Sequence, residues 1–204
     1  MTYSVIAGID PSLTSTGIAV KDWDGNIATH RVRSTGKKTD SWNMRNNRIQ
    51  GLATAITNRI PGGALVVIEA PSYGSISTSA HDRSGLWWTI YDQLIDNECT
   101  IVPATPAQRM MYATGKGGGK DAGKDNVLAQ TIRRYPNIDI TGNDIADAVI
   151  FLAIGLRLTG QPLETDLPKT HLNALNKLQL PHGPDHNGPV QPLVARAVPA
   201  GALL

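Results

Sequence analysis

The chain is short of cysteine, of signed charge and of long apolar runs, and each shortage removes a class of protein. Cys99 is the only cysteine in 204 residues. No internal disulfide can form and no thiolate cluster can hold zinc, which fits a reducing compartment. His30, His81, His171, His182 and His186 show no metal-ligand spacing on a shared helix face and read as surface residues. The longest apolar stretch, Ile145 to Leu156, is too short to cross a bilayer and contains Asp147. The start, MTYSVIAGID, lacks the basic opening and apolar stretch of a signal peptide. A soluble cytoplasmic protein without membrane contact is the expectation. No internal repeat is visible.

Net charge is only +2, but the positive residues are grouped. Arg31, Arg33, Lys37, Lys38, Arg45 and Arg48 form one zone opposed only by Asp40. Arg109, Lys116, Lys120, Lys124, Arg133 and Arg134 form another, diluted by Asp121 and Asp125. Two such zones on a nearly neutral chain suit either ordinary solvated faces or contact with a phosphate backbone.

Hydrophobic patterning predicts a mixed α/β domain. Tyr3–Asp10 and Gly17–Trp23 read as strands. Asp24-Gly25-Asn26 is a hairpin signal leading into a third strand, Ile27–Arg33. A helix is expected from Ser41 to about Asn58, with Ile49, Leu52, Ala53 and Ile56 on one face. A strand at Leu65–Ala70 precedes a Ser/Gly-rich loop, Pro71–Ser79, and a helix at about His81–Asn97. On that helix Trp87 and Trp88 point about 100° apart, so either one is core and the other lies at an edge, or both pack within the monomer. Thr100–Val102 is a short strand. Thr105 followed by Pro106 marks a helix start, and that helix stops near Gly115. The basic glycine loop GKGGGKDAG leads into a helix from about Ala122 to Tyr135. Asn143 is expected to cap a final long helix ending near Thr159. Composition then changes: Pro168–Leu180 suggests one short amphipathic helix, and Pro181–Leu204 a disordered tail. The expected division is 1–160 for the domain and 161–204 for a C-terminal extension.

Four acids sit where acids are costly. Asp10 ends the first strand and Glu69 ends the apolar run Leu65–Ile68. Asp144 and Asp147 lie three residues apart on one face of the otherwise apolar helix DIADAVIFLAIGL. A buried carboxylate is normally capped, paired or bound to a cation. Asp10 can cap its own turn, Glu69 can pair with a core arginine, and Asp144 suits the first turn of a helix. Together, however, sites in α/β sheets gather at the carboxyl ends of strands. Four carboxylates on one rim would repel each other unless a cation sat among them. Hard oxygen donors suit Mg²⁺, with Mn²⁺ able to substitute. Two such ions about 3.5–4 Å apart can drive phosphodiester hydrolysis.

These motifs, in this order, resemble the RuvC-like Holliday junction resolvases. GIDPSLTSTGIAV resembles their first motif, VVIEAP their second and DIADAVIFLAIG their last. GKDNV resembles a family segment that carries a lysine beside the site. The resemblance runs from Tyr3 to Thr159. It implies an RNase H-like mixed sheet of about five strands flanked by helices, and a homodimer. It also implies metal-dependent paired nicking of four-way DNA junctions that leaves 5′-phosphate ends. Asp10, Glu69, Asp144 and Asp147 would hold two ions, and Lys124 would approach the scissile phosphate. Lys116, Lys120 and Arg109 would contact DNA, together with Tyr73, the aromatic residue nearest to Glu69, whose offset does not match the family pattern. The longer glycine loop and the extra tail look like a bacteriophage-type member acting in a host cytoplasm, with flaps and forks as further substrates.

Other readings have their own tests. GKGGGKD lacks the Ser or Thr that follows the lysine of a P-loop and the strand that precedes it. The loop is either disordered or a DNA contact. An actin-like ATPase needs two such domains. An RNase H acting on RNA–DNA hybrids has a similar acidic set, and a branched-DNA binding module without catalysis would have no need of it.

Overall fold

The computed structural model describes residues 3–71 and 79–181. Most of the Ser/Gly loop, with Tyr73, and nearly all of the expected tail therefore lie outside the described residues. Five strands form one sheet in the order β3-β2-β1-β4-β5: β1 Ile6–Asp10, β2 Ser15–Lys21, β3 Ile27–Arg33, β4 Leu65–Glu69 and β5 Thr100–Ala104. The β1–β2 and β2–β3 pairs are antiparallel, as the hairpin signal requires. The β1–β4 and β4–β5 pairs are parallel, and helices make their crossovers.

Strict alternation gives the sheet two buried faces. Ile6, Ala19, Leu65, Val67 and Val102 join one core, beneath α5 (Asn143–Leu158). Val5, Ala7, Ile9, Ile18, Val66 and Ile68 join the other, beneath α1 (Trp42–Thr57) and α2 (Ala80–Asp96). The nearly continuous apolar sequence of α5 follows from its place: Ile145, Ala146 and every residue from Ala148 to Leu156 are buried. Trp87 is buried and Trp88 is 60% exposed, so only one of the two packs into the core.

Two glycines set the height of α5 above the sheet. A β-carbon on Gly8 would overlap the backbone of Ala148 and Leu152. One on Gly17 would overlap the carbonyl of Asp144. The helix lies directly on strand backbone, and its first turns reach the carboxyl-end rim of β1.

Several boundaries differ from expectation. β5 runs on through Pro103 to Ala104. It is an edge strand, where a proline without an N–H is tolerated. Asn143 is the first residue of α5 and not its cap, because the carbonyl of Gly142 already accepts the first helical bond, from Ala146 N–H. α3, Pro106–Thr114, starts and stops as expected, opened by a capping box between Thr105 and Gln108 and ended by Gly115. A short 3₁₀ turn, Lys120–Ala122, precedes α4, Lys124–Arg134.

In place of one amphipathic helix, the C-terminal segment has α6, Lys169–Leu172, and a 3₁₀ turn, Asn173–Leu175. It packs against the α5-side core through Ala174, Leu175 and Leu178. His171 is half-buried, and its Nδ1 lies 2.8 Å from the carbonyl of Tyr112. Ahead of α6, the Glu164 carboxylate is buried among Tyr112, Tyr135 and Arg157. No helix among the described residues is long and apolar enough to cross a membrane.

Candidate active site

The alternation that builds the two cores also aims the last residue of each central strand. Residues 6 and 8 of β1, and 65 and 67 of β4, face α5, so Asp10 and Glu69 face it too. β1 and β4 are parallel neighbours with Ile9 beside Ile68, which puts both carboxylates on one rim. Trp87 helps to hold the end of β4, since its Nε1–H donates to the carbonyl of Glu69 at 2.8 Å. After Asp10 the chain turns tightly. Thr16 closes the turn by donating its hydroxyl to the carbonyl of Ser12 and accepting from Ser12 N–H, each at 2.9 Å. The Thr-Gly pair thus has two roles: Thr16 locks the turn and Gly17 admits the first turn of α5. Asp144 and Asp147 arrive from above.

All four carboxylates line one open cavity of about 660 Å³, together with Ser15, Arg31, Arg33, Arg83, Arg109 and Lys124. Two arginines reach into the acidic set. Arg31, on β3, donates Nε–H to Oδ2 and Nη2–H to Oδ1 of Asp144, both at 2.6 Å. Arg109, on α3, is 9% exposed. Its Nη1 pairs with Asp147 Oδ2 and lies 3.4 Å from Glu69 Oε2. Arg109 Nε and Glu69 Oε2 are buried without a hydrogen bond. Among the described residues, no group of three or more acidic, histidine or cysteine side chains is arranged to hold a metal ion.

The electrostatics separate the four acids. Burial pushes the Asp10 carboxyl up to about 8, and the neighbouring Glu69 and Asp147 add to the effect. Burial pushes Asp147 up to about 6, against the pull of Arg109. Glu69 is also raised by burial, opposed by Arg109 and Lys124. Asp144 goes the other way. Burial would raise it, but hydrogen bonds from Arg31, Ser15 and the N–H of Ile145 outweigh burial and hold it below the ordinary carboxylate value.

The residues singled out by sequence divide accordingly. Asp10, Glu69, Asp144, Asp147, Lys124 and Arg109 come together at the cavity, with Lys124 exposed and Arg109 buried. Lys116 and Lys120 are exposed on the glycine loop and do not line the cavity. Tyr73 lies outside the described residues. Arg31 was not singled out as a site residue. Its signal was present in the hairpin, whose register sets Arg31 beside Gly17.

A mixed sheet of this order, with helices on both faces and acids at its central rim, defines the RNase H-like α/β fold. No family model and no curated protein matches this chain. Among solved structures it is similar to RuvC of Thermus thermophilus, with TM-score 0.54 and 17% identity over 77% of this chain and 97% of that one. It is also similar to T. thermophilus RuvC in complex with a Holliday junction substrate, with TM-score 0.55 and 15% identity over 77% and 96% of the two chains. The chain thus shares its overall α/β fold with these structures.

Proposed function

We propose that this protein is a metal-dependent, structure-specific DNA endonuclease that resolves four-way junctions by paired nicking and leaves 5′-phosphate ends. The observation that carries this reading is the convergence of Asp10, Glu69, Asp144 and Asp147, from three separate elements, on one cavity open to solvent. The donor set fits a hard divalent cation. It is all carboxylate oxygen, Glu69 Oε2 is buried without a hydrogen bond, and burial, reinforced by the neighbouring Glu69 and Asp147, disfavours the charged form of Asp10. Asp10, Glu69, Asp144 and Asp147 would hold two Mg²⁺ ions, or Mn²⁺ in their place. When bound, the ions would activate water and stabilise the departing 3′ oxygen.

The chain's own groups have distinct parts in this reading. Asp10, whose carboxyl is pushed up by burial, would hold a cation in its deprotonated form. Lys124, exposed at the cavity edge, offsets charge that develops on the scissile phosphate. Arg33 at the cavity and Lys116 and Lys120 on the glycine loop hold the DNA backbone as point charges. A homodimer with a two-fold axis would set two such sites against opposed strands. The basic glycine loop suits a bacteriophage-type enzyme that also cuts flaps and forks.

The test is incubation of purified protein with end-labelled four-way junction, flap, plain duplex and RNA–DNA hybrid, with and without Mg²⁺, mapping cuts on each strand. Paired symmetric nicks in the junction that require Mg²⁺ are expected. Asp10→Asn should lose at least about a hundredfold in cutting rate while still shifting the junction on a native gel. Cutting of the hybrid alone would make the protein an RNase H. Junction binding with no cutting in Mg²⁺ or Mn²⁺ would make it a binding module.

A further inference from the structure

We propose that Arg31 keeps Asp144 closed to metal until DNA arrives, so that the free protein takes up one divalent cation and the second enters only with substrate. The inference rests on the nuclease reading above and concerns how that site is loaded.

The two halves of the acidic site are held differently. Asp144 is saturated. Its Oδ2 accepts from Arg31 Nε and from Ser15 Oγ at 2.5 Å, and its Oδ1 accepts from Arg31 Nη2 and from the N–H of Ile145 at 3.0 Å. A carboxylate has about four lone-pair positions, and here all are in use. Asp144 cannot bind a cation without giving up a hydrogen bond. Asp10 is the opposite case: among the described residues no ion pair or hydrogen bond reaches its carboxylate, and Glu69 and Asp147 share a single guanidinium. The Asp10 side of the site is therefore short of positive charge, whereas the Asp144 side is already matched.

What could release Asp144 is a better partner for Arg31. A guanidinium fork fits phosphate as well as it fits carboxylate. Arg31 lies on the edge strand β3, lines the open cavity and keeps 22% of its side chain exposed. Arg33, two residues along the same strand, is exposed at the same cavity. A DNA backbone held there presents phosphate oxygens to Arg31 without any change in the sheet. Once Arg31 turns to phosphate, Ser15 and Ile145 N–H still orient the Asp144 carboxylate, and the two positions that Arg31 vacates can take a cation. Arg31 is a positioning residue in this account, acting through Asp144.

The experiment is Mn²⁺ titration of the full chain, counting bound ions by calorimetry and by the electron paramagnetic resonance of free Mn²⁺. Wild-type protein without DNA should bind one ion tightly. Arg31→Gln should bind two, and Arg31→Gln with Asp144→Asn should return to one. Wild-type protein with a four-way junction should bind two, after subtraction of ions held by the junction alone. Arg31→Lys, which keeps the charge but loses the fork, should bind the second ion at least tenfold more tightly than wild type. Two ions in wild-type protein without DNA would overturn the inference. So would a single ion in both wild type and Arg31→Gln while Mg²⁺-dependent cutting persists, and in either case the nuclease reading would stand. No bound Mn²⁺ in any form would overturn the inference and the metal dependence together.

Discussion

Gly17 and Asp144 meet backbone to backbone, with no room for a methyl group between the strand and the carbonyl of the helix. This contact sets how far the first turn of α5 leans over the rim of the sheet, and so where Asp144 and Asp147 stand relative to Asp10 and Glu69. Packing and function share one constraint here, because the helix cannot move away from the sheet and still deliver its carboxylates.

Gly17→Ala should therefore damage both stability and site. The clash is with backbone, which no rotamer change relieves, and a loss of about 3 kcal/mol is expected, at the upper end for overpacking. Mn²⁺ affinity should fall with it. Gly51→Ala is the control. Gly51 lies in α1 with nothing within 4 Å of its added β-carbon, and the change should stabilise by up to about 1 kcal/mol through helix propensity. Urea unfolding of both variants distinguishes close approach from glycine flexibility in general.

The metal-free protein should lose stability as pH rises. Asp10 and Asp147 hold their protons to about 8 and about 6 in the folded chain, against an ordinary value of 3.8. Between these limits the folded state binds more protons than the unfolded state, so unfolding becomes easier with rising pH. The contribution is fully present below pH 3.8 and is lost as pH passes through 6 and then 8. In chelator, Tm should drop by about 5–10 °C from pH 5 to pH 8.5, Mg²⁺ should remove most of the drop, and Asp10→Asn should flatten it. A Tm that rises over this window would mean that these carboxylates are charged and solvated without metal.

Arg109→Gln tests whether the buried guanidinium holds the acidic rim together. Removing one partner of a buried ion pair costs about 3 kcal/mol. The cost should appear at pH 8, where Asp147 is left charged, and shrink at pH 5, where it takes up a proton. Denaturant midpoints at the two pH values check this. Equal losses at both would show that Arg109 acts by packing alone.

Glu164→Gln should loosen the C-terminal segment and leave the acidic site intact. Glu164 is 8% exposed. It accepts from Tyr112 Oη at 3.1 Å, from Tyr135 Oη and from Arg157 Nη2 at 3.0 Å. Burial, with the Glu164 carboxylate next in effect, raises both tyrosine hydroxyls above their ordinary value, so they remain protonated donors. A loss of about 3 kcal/mol is expected, with faster amide exchange over residues 161–178 and unchanged Mn²⁺ binding. The network sits at the last turn of α5, and the acids sit at its first two turns.

Much of this was legible in the chain because it is written in short-range pattern. Alternation along Ile6–Asp10 and Leu65–Glu69 decides which face the terminal acids join. The turn residues Asp24-Gly25-Asn26 fix the hairpin, and Thr105-Pro106 opens α3. The three-residue step from Asp144 to Asp147 puts both on one side of α5. Each of these depends on neighbours a few positions away, so each survives without knowledge of the rest of the fold. Tertiary structure alone decided the charge pairing. Arg31 finds Asp144 across 113 positions, Arg109 settles between Glu69 and Asp147, and Glu164 gathers two tyrosines and Arg157. In the sequence Arg31 and Arg109 read as members of basic zones, either solvated faces or contacts with a phosphate backbone, and Arg157 belongs to neither zone. Ion pairing depends on distance and burial in three dimensions, and no local period records either. For that reason the carboxyls of the two aspartates of α5, three residues apart, are shifted in opposite directions in the fold, Asp144 down and Asp147 up.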